Sequence, residues 1–328
     1  MNAYPEDHEQ LSEEERIVIR FSHVVGENTP KGLASRYFAE QVKERTNGYV
    51  EVQVFPNSKL YRDGEELDAL LKGDIQMIAP ATSKVTSLVP EWQVIDLPFA
   101  FQNVEEVQQY LHSPAGIVLE KKLEEQGLYP MAFWDNGFKQ LTNTERPIKY
   151  LEDFEGLKFR VMSSEVLEDQ FTLLDATAEV ETFDQVFRNL DNKKLNAQEN
   201  TFSNIVNKNL HGLQDYLTVS NHGYLGYLVL INADFWYELS DEIQVIILDV
   251  IEEVNEWEMK MAKEVNEENY HILKNCNCIE MYELSKKEQQ SWEEALLPVY
   301  DSFAEKYGAQ YIDYLPKYQN LKEDEDED

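Results

Sequence analysis

Short β-branched runs alternate with amphipathic helical segments along much of the chain, and this alternation limits the folds that the chain can adopt. Val50 and Val52 alternate with polar residues, which is the period of a strand, whereas Ala34, Phe38 and Val42 recur every fourth residue, which is the period of a helix. Strand–helix alternation of this kind predicts an α/β fold with a mostly parallel sheet covered on both faces. With 328 residues, the chain suits two domains of about 150 residues each.

The same periodicities place the individual elements. Strands are predicted at 17–21, 50–54, 75–79, 128–134, 157–161 and 217–220, with a further crossing strand at 223–231. Helices are predicted from Pro30, with Thr29 as N-cap, to Asn47, and then at 63–73, 104–112, 115–126, 165–174 and 183–191. A second set of alternating elements is expected to begin near Gly137.

One helical segment is unusually long. From Asp241 to about Lys274 neither proline nor glycine interrupts the pattern, and apolar residues keep to a single face. Roughly 30 helical residues extend about 45 Å, which exceeds the width of a small domain. Periodicity alone leaves two interpretations open: the helix braces two domains, or it lies along the edge of one.

The charge excludes two classes of partner. The chain has 63 acidic and 29 basic residues and a net charge of -34, whereas a nucleic-acid or anionic-membrane surface is bound by a basic face. Because 42% of the residues are hydrophobic, we expect a globular protein all the same. No apolar run reaches the length of a membrane span, and the acidic residues 1–16 do not resemble a signal peptide. If the protein is exported, a leader is expected to have been removed.

Motifs with known chemistry are missing from the sequence. Cys276 and Cys278, the two cysteines, stand two residues apart and are expected to remain unpaired. Nucleotide-binding, hydrolase and zinc-protease motifs are absent, and the six histidines are scattered. This modestly favours a binding protein without metal or cofactor over an enzyme that acts on a carboxylic acid.

Arg160 is the first candidate binding residue. It closes the predicted strand 157–161, and ligands of open α/β sheets gather at the carboxyl ends of strands. A guanidinium grips a carboxylate with two parallel hydrogen bonds. Considered alone, the position of Arg160 favours a surface ion pair over a ligand contact.

Seven segments, in order along the chain, carry a family resemblance. They read FSHVVGENTPKG (21–32), FPNSKL (55–60), DLPFAF (96–101), WDNGFKQLT (134–142), GLKFR (156–160), QEN (198–200) and SNHGY (220–224). With this order and spacing, the chain from about 17 to 315 resembles the DctP-type solute-binding proteins of TRAP transporters, the tripartite ATP-independent periplasmic systems. It most resembles their C4-dicarboxylate branch.

The resemblance implies a set of ligand-binding residues. Arg160 is expected to form the main salt bridge to a ligand carboxylate, with Asn200 supporting it and Phe183 packing beside it. Lys139 takes a second cationic position. The opposing wall is expected to contain His23, Lys31 and the loop 82–84 with Ser83. Ordinary structural roles remain open for three of them: a core histidine for His23, a solvated helix start for Lys31 and a core aromatic for Phe183.

The resemblance also implies an architecture and a function. We expect a two-domain periplasmic-binding-protein-like (Venus flytrap) fold with mixed sheets and a long domain-spanning helix. The domains would comprise 17–137 plus 226–265, and 138–225 plus 266–316, with disordered tails at 1–16 and 317–328. The function implied is capture of succinate, fumarate or malate by hinge closure, for delivery to TRAP membrane subunits.

Further expectations concern the setting of the protein. An extracytoplasmic monomer is expected, in the periplasm or as a lipoprotein on a Gram-positive cell surface. A dicarboxylate-sensing module that presents its ligand to a membrane sensor kinase is the alternative. The chain departs from the family pattern at 175–178 and 193–197, where glycines are missing near Asn200, and this bears on ligand size and affinity.

Overall fold

The computed structural model describes residues 16–316 and 318. Its strands are β1 Ile17–Ser22, β2 Val50–Phe55, β3 Met77–Ile78, β4 Leu128–Asn143, β5 Lys158–Val161, β6 Thr177–Val180, β7 Ala197–Asn200, β8 Tyr216–Asn232 and β9 Glu280–Glu283. Its helices are α1 Pro30–Arg45, α2 Glu66–Leu71, α3 Val104–Leu111, α4 Pro114–Glu124, α5 Glu165–Leu173, α6 Phe183–Asp191, α7 Phe202–Asn207, α8 Ala233–Glu238, α9 Asp241–Asn275, α10 Lys286–Ala295 and α11 Leu297–Tyr307. The tail predictions for 1–15, 317 and 319–328 lie outside the described residues.

The strands form one mixed sheet in the order β2-β1-β3-β8-β4-β7-β5-β6, with β9 beside β8. The parallel pairs are β1 with β2 and β3, β5 with β6 and β7, and β8 with β9; β4 and β8 run antiparallel to their other neighbours. We call the part around β1–β3 the first lobe and the part around β5–β7 and β9 the second lobe. The expected α/β class with mixed pairing is confirmed, although the sheet is less parallel than alternation alone predicts.

Strands β4 and β8 connect the two lobes. They pair with each other from Leu128 opposite Asn232 to Asn143 opposite Tyr216. The sequence pattern predicts an end to the first of these strands at 134 and two separate strands in place of the second, because Gly137 and the polar residues near Asn221 break the apolar pattern. In the structure both residues have positive φ, 98° and 46°, and the pairing continues past them through irregular register.

The long helix α9 confirms the bracing interpretation. It packs on α1 in the first lobe, where the rings of Trp257 and Tyr37 lie 4.9 Å apart. Near its other end Tyr270 packs against Phe202 of α7 in the second lobe, with ring centroids 5.4 Å apart. Within the described residues, no helix is both long enough and apolar enough to cross a membrane.

Local signals set most of the predicted boundaries. Thr29 caps α1 by accepting a hydrogen bond from the Gly32 amide at 3.2 Å, and Pro30 occupies the first helical position. The short elements β6, β7, β9, α7 and α8, together with α10 and α11, were not predicted. The five short elements have four to six residues each, which is too few for a periodicity to be recognised without their neighbours.

The expectation of unpaired cysteines was wrong. Cys276 and Cys278 form a disulfide just beyond the end of α9. Asn277 between them adopts a left-handed conformation, with φ of 52°, and this brings the two Cα atoms to 5.1 Å. That separation lies within the usual range for a disulfide, which sequence spacing alone did not suggest.

Candidate functional site

A small cavity lies between the two lobes, where the carboxyl ends of β1, β3, β5 and β7 converge. The volume of this cavity is about 40 Å³. Both lobes supply its walls, so the structure has the cleft closed. Its polar and charged lining residues are Lys31, Asp63, Glu66 and Lys84 from the first lobe, Arg160, Asn200 and Asn204 from the second, and Tyr227 from β8.

Arg160 enters the cavity from β5. The strand pairs with β7, which places Arg160 opposite Gln198 and beside the end of that strand. Arg160 Nε donates to the Glu181 carbonyl oxygen at 2.9 Å and so orients the guanidinium. Burial lowers the pKa of Arg160, and the charge of Asp63 is the largest influence against that shift. Arg160 remains a cation, and it is 2% exposed.

Asn200 and Phe183 line the cavity beside Arg160. Asn200 ends β7, and its side-chain oxygen accepts from Asn204 Nδ2 at 2.8 Å. Phe183 begins α6 and presents its ring to the cavity, while Lys208 Nζ lies 5.0 Å from the centre of that ring. The three residues expected around the ligand carboxylate are therefore neighbours in one cavity.

Lys31 provides the opposite wall and is not a solvated residue. Its Nζ donates to the Ala79 carbonyl oxygen at 2.7 Å and stands 3.7 Å from the centre of the Tyr227 ring. Burial lowers the pKa of Lys31 to about 8, although Glu66 and Asp63 act against this shift. A lysine buried with an aromatic ring and carboxyl groups keeps most of its charge at neutral pH.

Two carboxyl groups share the cavity with these cations. Asp63 Oδ2 lies 3.1 Å from Lys84 Nζ, and Glu66 Oε1 accepts from the Ser22 hydroxyl at 2.7 Å. Burial raises the pKa of Glu66 to about 7, more than Lys31 lowers it. Three cations therefore face one ionised carboxylate and one carboxyl group that is partly protonated at neutral pH, so the cavity is electropositive.

Sequence reasoning missed Asp63, Glu66, Asn204 and Tyr227. Spacing gives no means of choosing two acids among the 63 in the chain. Lys84 was included only through the loop 82–84. A weak signal existed for Asn204, which follows Asn200 by one helical turn at the start of α7.

Among the described residues, three predicted site residues do not line this cavity. His23 is buried behind Lys31, and burial, followed by the charge of Lys31, lowers its pKa to about 3, so it is neutral. Ser83 is buried next to Lys84. Lys139 is buried as well and pairs with Glu199. Their roles in ligand binding stay predictions.

Lys139 belongs to a separate buried cluster, which we call the Glu199 cluster: Lys139, Glu199, Ser220 and His222. Glu199 accepts from Lys139 Nζ at 2.7 Å and from His222 Nε2 at 2.9 Å, and Ser220 Oγ lies 2.7 Å from His222 Nδ1. Burial raises the pKa of Glu199, but Lys139 and His222 outweigh it and lower that pKa to about 2. The lysine charge is thus neutralised inside the protein.

The two segments that depart from the family pattern, 175–178 and 193–197, still begin with the backbone turn that glycine would make. Asp175 and Lys193 stand where the resemblance expects glycine, and both have φ of 59°. This left-handed conformation is natural for glycine and costs other residues about 1–2 kcal/mol. The backbone leading to β6 and β7 therefore turns as glycine would turn it, at some cost in stability.

A larger groove, of about 400 Å³, lies beside Gly137. Its charged residues are Lys263 against Glu105, Asp135 and Glu267. Because carboxyl groups predominate there, the groove is unsuited to an anion, and the small cavity is the better candidate site.

Comparison with known proteins identifies the family. Residues 21–306 match the family described as bacterial extracellular solute-binding protein, family 7, or DctP. The chain belongs to this family. The match confirms the resemblance that the seven sequence segments indicate, and it covers both lobes.

Similar members of the DctP family agree with this assignment. The chain is 44% identical to the C4-dicarboxylate-binding protein DctB of Bacillus subtilis, over 94% of this chain and 88% of that protein. It is 41% identical to the C4-dicarboxylate-binding periplasmic protein DctP of Rhodobacter capsulatus, over 91% and 90%. A crystal structure of a TRAP periplasmic solute-binding protein from Sulfurospirillum deleyianum with bound succinate has a TM-score of 0.88, with 38% identity and coverage of 92% and 98%. The two-domain fold of these proteins is therefore the fold of this chain.

Proposed function

We propose that the protein is an extracytoplasmic receptor that captures a C4-dicarboxylate such as succinate, fumarate or malate for a TRAP transporter. The observation that carries the proposal is the convergence of Arg160, Lys31 and Lys84, from two lobes, on one small cavity. A dianion with separated carboxylates needs cations on opposite sides, and this arrangement supplies them. The names of the relatives from Bacillus subtilis and Rhodobacter capsulatus give the same ligand class.

In the proposed binding mode the two lobes hold different ends of the ligand. The Arg160 guanidinium grips one carboxylate, with the Asn200 amide beside it and the Phe183 ring against the carbon chain. Lys31 and Lys84 hold the other carboxylate. Since each lobe holds only one end, the ligand is held fully only when the cleft closes, which is a hinge mechanism.

The lobes are proposed to correspond to domains 17–137 plus 226–265 and 138–225 plus 266–316. Their crossings lie at Gly137, near Gly226 and within α9. Gly137 supports the first crossing because the pairing of β4 with β8 is irregular there. In this scheme ligand-free protein is open and ligand-bound protein is closed, so saturating ligand should lower the radius of gyration in small-angle scattering.

The remaining parts of the proposal follow from the family role. The protein acts as a monomer without enzymatic activity and delivers its ligand to the membrane subunits, from the periplasm or as a lipoprotein on a Gram-positive surface. The sensor-kinase alternative has no support among the relatives named above. Genomic neighbours encoding TRAP membrane subunits would support the transport role.

A thermal-shift and calorimetric screen tests the ligand class. Succinate, fumarate or malate should raise the melting temperature, since a ligand at 100 times its Kd stabilises the native state by about 2.7 kcal/mol. Acetate and neutral sugars should have no effect, and mass analysis should recover the acid unchanged. If sialic acid shifts the melting temperature and no C4 acid does, the proposed ligand class is wrong.

A further inference from the structure

Asp63 joins the two lobes inside the cavity. It stands in the segment between β2 and α2 of the first lobe, where its Oδ2 lies 3.1 Å from Lys84 Nζ. The same oxygen accepts from the backbone amide of Phe183, in the second lobe, at 2.7 Å. The residue is 7% exposed, so water competes little for these contacts.

The partner in the second lobe is well suited to a carboxylate. Phe183 is the first residue of α6, a helix of nine residues, and the first amides of a helix have no partner within the helix. They also carry the positive end of the helix dipole, which favours an anion. Hydrogen bonds with an ionised acceptor are shorter and stronger than neutral ones. The contact between Asp63 and Phe183 therefore contributes to holding the lobes together.

The hydrogen bonds of Thr86 and Gln93 to the second lobe are neutral, whereas the buried carboxyl group of Asp96, in the same segment, lies near Ser164 and Lys139 of that lobe. Thr86 Oγ1 donates to the Ser163 carbonyl oxygen at 3.0 Å, and Gln93 Oε1 accepts from the Val166 amide at 3.2 Å. Asp63 differs from Thr86 and Gln93 in its charge, and from Asp96 in its position at the cavity wall. Its ion pair with Lys84 lies within the first lobe and does not depend on closure.

We propose that Asp63 is a latch that strengthens ligand binding without touching the ligand: its carboxylate stays paired with Lys84 in the open protein and gains the Phe183 amide only on closure. This inference rests on the proposed hinge-closing function. Closing the cleft then forms a charged hydrogen bond between Asp63 and the Phe183 amide, in addition to the contacts that the ligand makes with the two lobes. The latch should act mainly on the rate of ligand release, because release requires opening.

The test compares Asp63→Ala and Asp63→Asn with the parent protein, with Asp68→Ala on the exposed face of α2 as the matched control. Losing a hydrogen bond to a charged group should raise the Kd for succinate by about ten- to a hundredfold in Asp63→Ala, with most of the change in koff. Asp63→Asn keeps an oxygen acceptor and should show a smaller rise. Asp68→Ala should bind as the parent does. Ligand-free Asp63→Ala should melt at a lower temperature, because Lys84 loses its partner, so affinities are compared at a temperature at which every variant is folded.

A second ligand separates a latch from a ligand contact. Because a latch does not touch the ligand, Asp63→Ala should weaken succinate and malate by the same factor, in calorimetric titration and in stopped-flow release. A larger loss for malate would mean that Asp63 contacts the ligand hydroxyl, and this would overturn the proposal. Unchanged or tighter binding would also overturn it, because the carboxylate would then be idle or would compete with the ligand.

Should Asp63→Ala fail to fold, Asp63→Asn carries the same comparison. A rise in Kd that resides entirely in kon would assign Asp63 to ligand entry and overturn the latch. If the parent protein binds no C4 acid at all, the proposed function fails, and that outcome is distinct from each of the others.

Discussion

Arg160 and Lys139, two buried cations of the second lobe, lie in very different surroundings. Lys139 Nζ is 2.7 Å from Glu199, which also accepts from His222, so its charge is neutralised by its own protein. Arg160 donates from Nε to a backbone carbonyl and lines the cavity with two further cations. A buried cation therefore indicates an anion site only when the protein does not itself neutralise the charge of that cation.

The largest effect expected from this comparison is on stability. Lys139→Met leaves Glu199 without its lysine in a buried site, and breaking a buried ion pair in this way costs about 3–5 kcal/mol of the free energy of unfolding. Chemical denaturation of the ligand-free variant measures the loss. The double variant Lys139→Met with Glu199→Leu should recover part of it, because Glu199 no longer leaves an unpaired charge, although the buried Asp96 also loses Lys139. If Lys139→Met is instead as stable as the parent but no longer binds C4 acids, Lys139 contacts the ligand, as the family resemblance implies.

The next largest effect is on affinity. Arg160→Lys keeps the charge but loses the planar fork, so one of two parallel hydrogen bonds to the ligand carboxylate is lost. That loss should raise the Kd for succinate about ten- to a hundredfold in calorimetric titration. Lys158→Met, an exposed position on the same strand, serves as the control and should bind as the parent does. Affinity unchanged in Arg160→Lys would place the carboxylate elsewhere.

The excess charge of the cavity should also make binding depend on pH. Burial raises the pKa of Glu66 to about 7 and lowers that of Lys31 to about 8, so positive charge is lost from the cavity as pH rises through this range. A bound dianion favours the protonated forms of both groups. Affinity for succinate should therefore fall between pH 6 and pH 9, by up to about tenfold per pH unit for each proton involved.

Calorimetric titrations at pH 6, 7, 8 and 9 measure this dependence. The Glu66→Gln variant, whose amide is neutral throughout, should show a shallower decline. Affinity that stays constant from pH 6 to pH 9 in the parent would mean that Lys31 and Glu66 do not sense the ligand charge. The contrast between the cavity and the Glu199 cluster would then be lost.

The smallest effect is expected at a backbone turn that supports residues of both the cavity and the Glu199 cluster. Lys193, with φ of 59°, lies between α6, which carries Phe183, and β7, which carries Glu199 and Asn200. Lys193→Gly should raise the free energy of unfolding by about 1 kcal/mol and leave the Kd unchanged. Lys194→Gly is the neighbouring control and should bring no gain. A change in affinity without a gain in stability would show that the turn shapes the cavity.

Sequence patterns revealed the parts of the fold that depend on local chemistry. The cap at Thr29, the periodicity of α9 and the apolar strands could each be recognised within one segment. The continuity of β4 through Gly137 could not, because pairing with a strand some 80 residues later maintains it. The disulfide was missed for a related reason, since it depends on the conformation of Asn277.

The candidate site divides in the same way. Arg160, Asn200 and Lys31 came from motifs and Phe183 from the family resemblance, and all four meet in one cavity. The partner of Lys139 was invisible because Glu199 lies 60 residues away in the chain. Asp63 could not be chosen from so many acidic residues, and its importance depends on an amide of the opposite lobe.

The long pairing of β4 with β8 has a consequence for how this protein can change over evolution. Opening the cleft must bend a hydrogen-bonded ribbon, which resists sliding of one strand along the other. The two walls therefore meet in the same alignment each time the cleft closes. One residue inserted into a single strand of the ribbon would offset the walls by about 3.3 Å, more than the tolerance of a hydrogen bond. Insertions should accordingly be accepted in the loops at either end of the molecule and rejected along the ribbon.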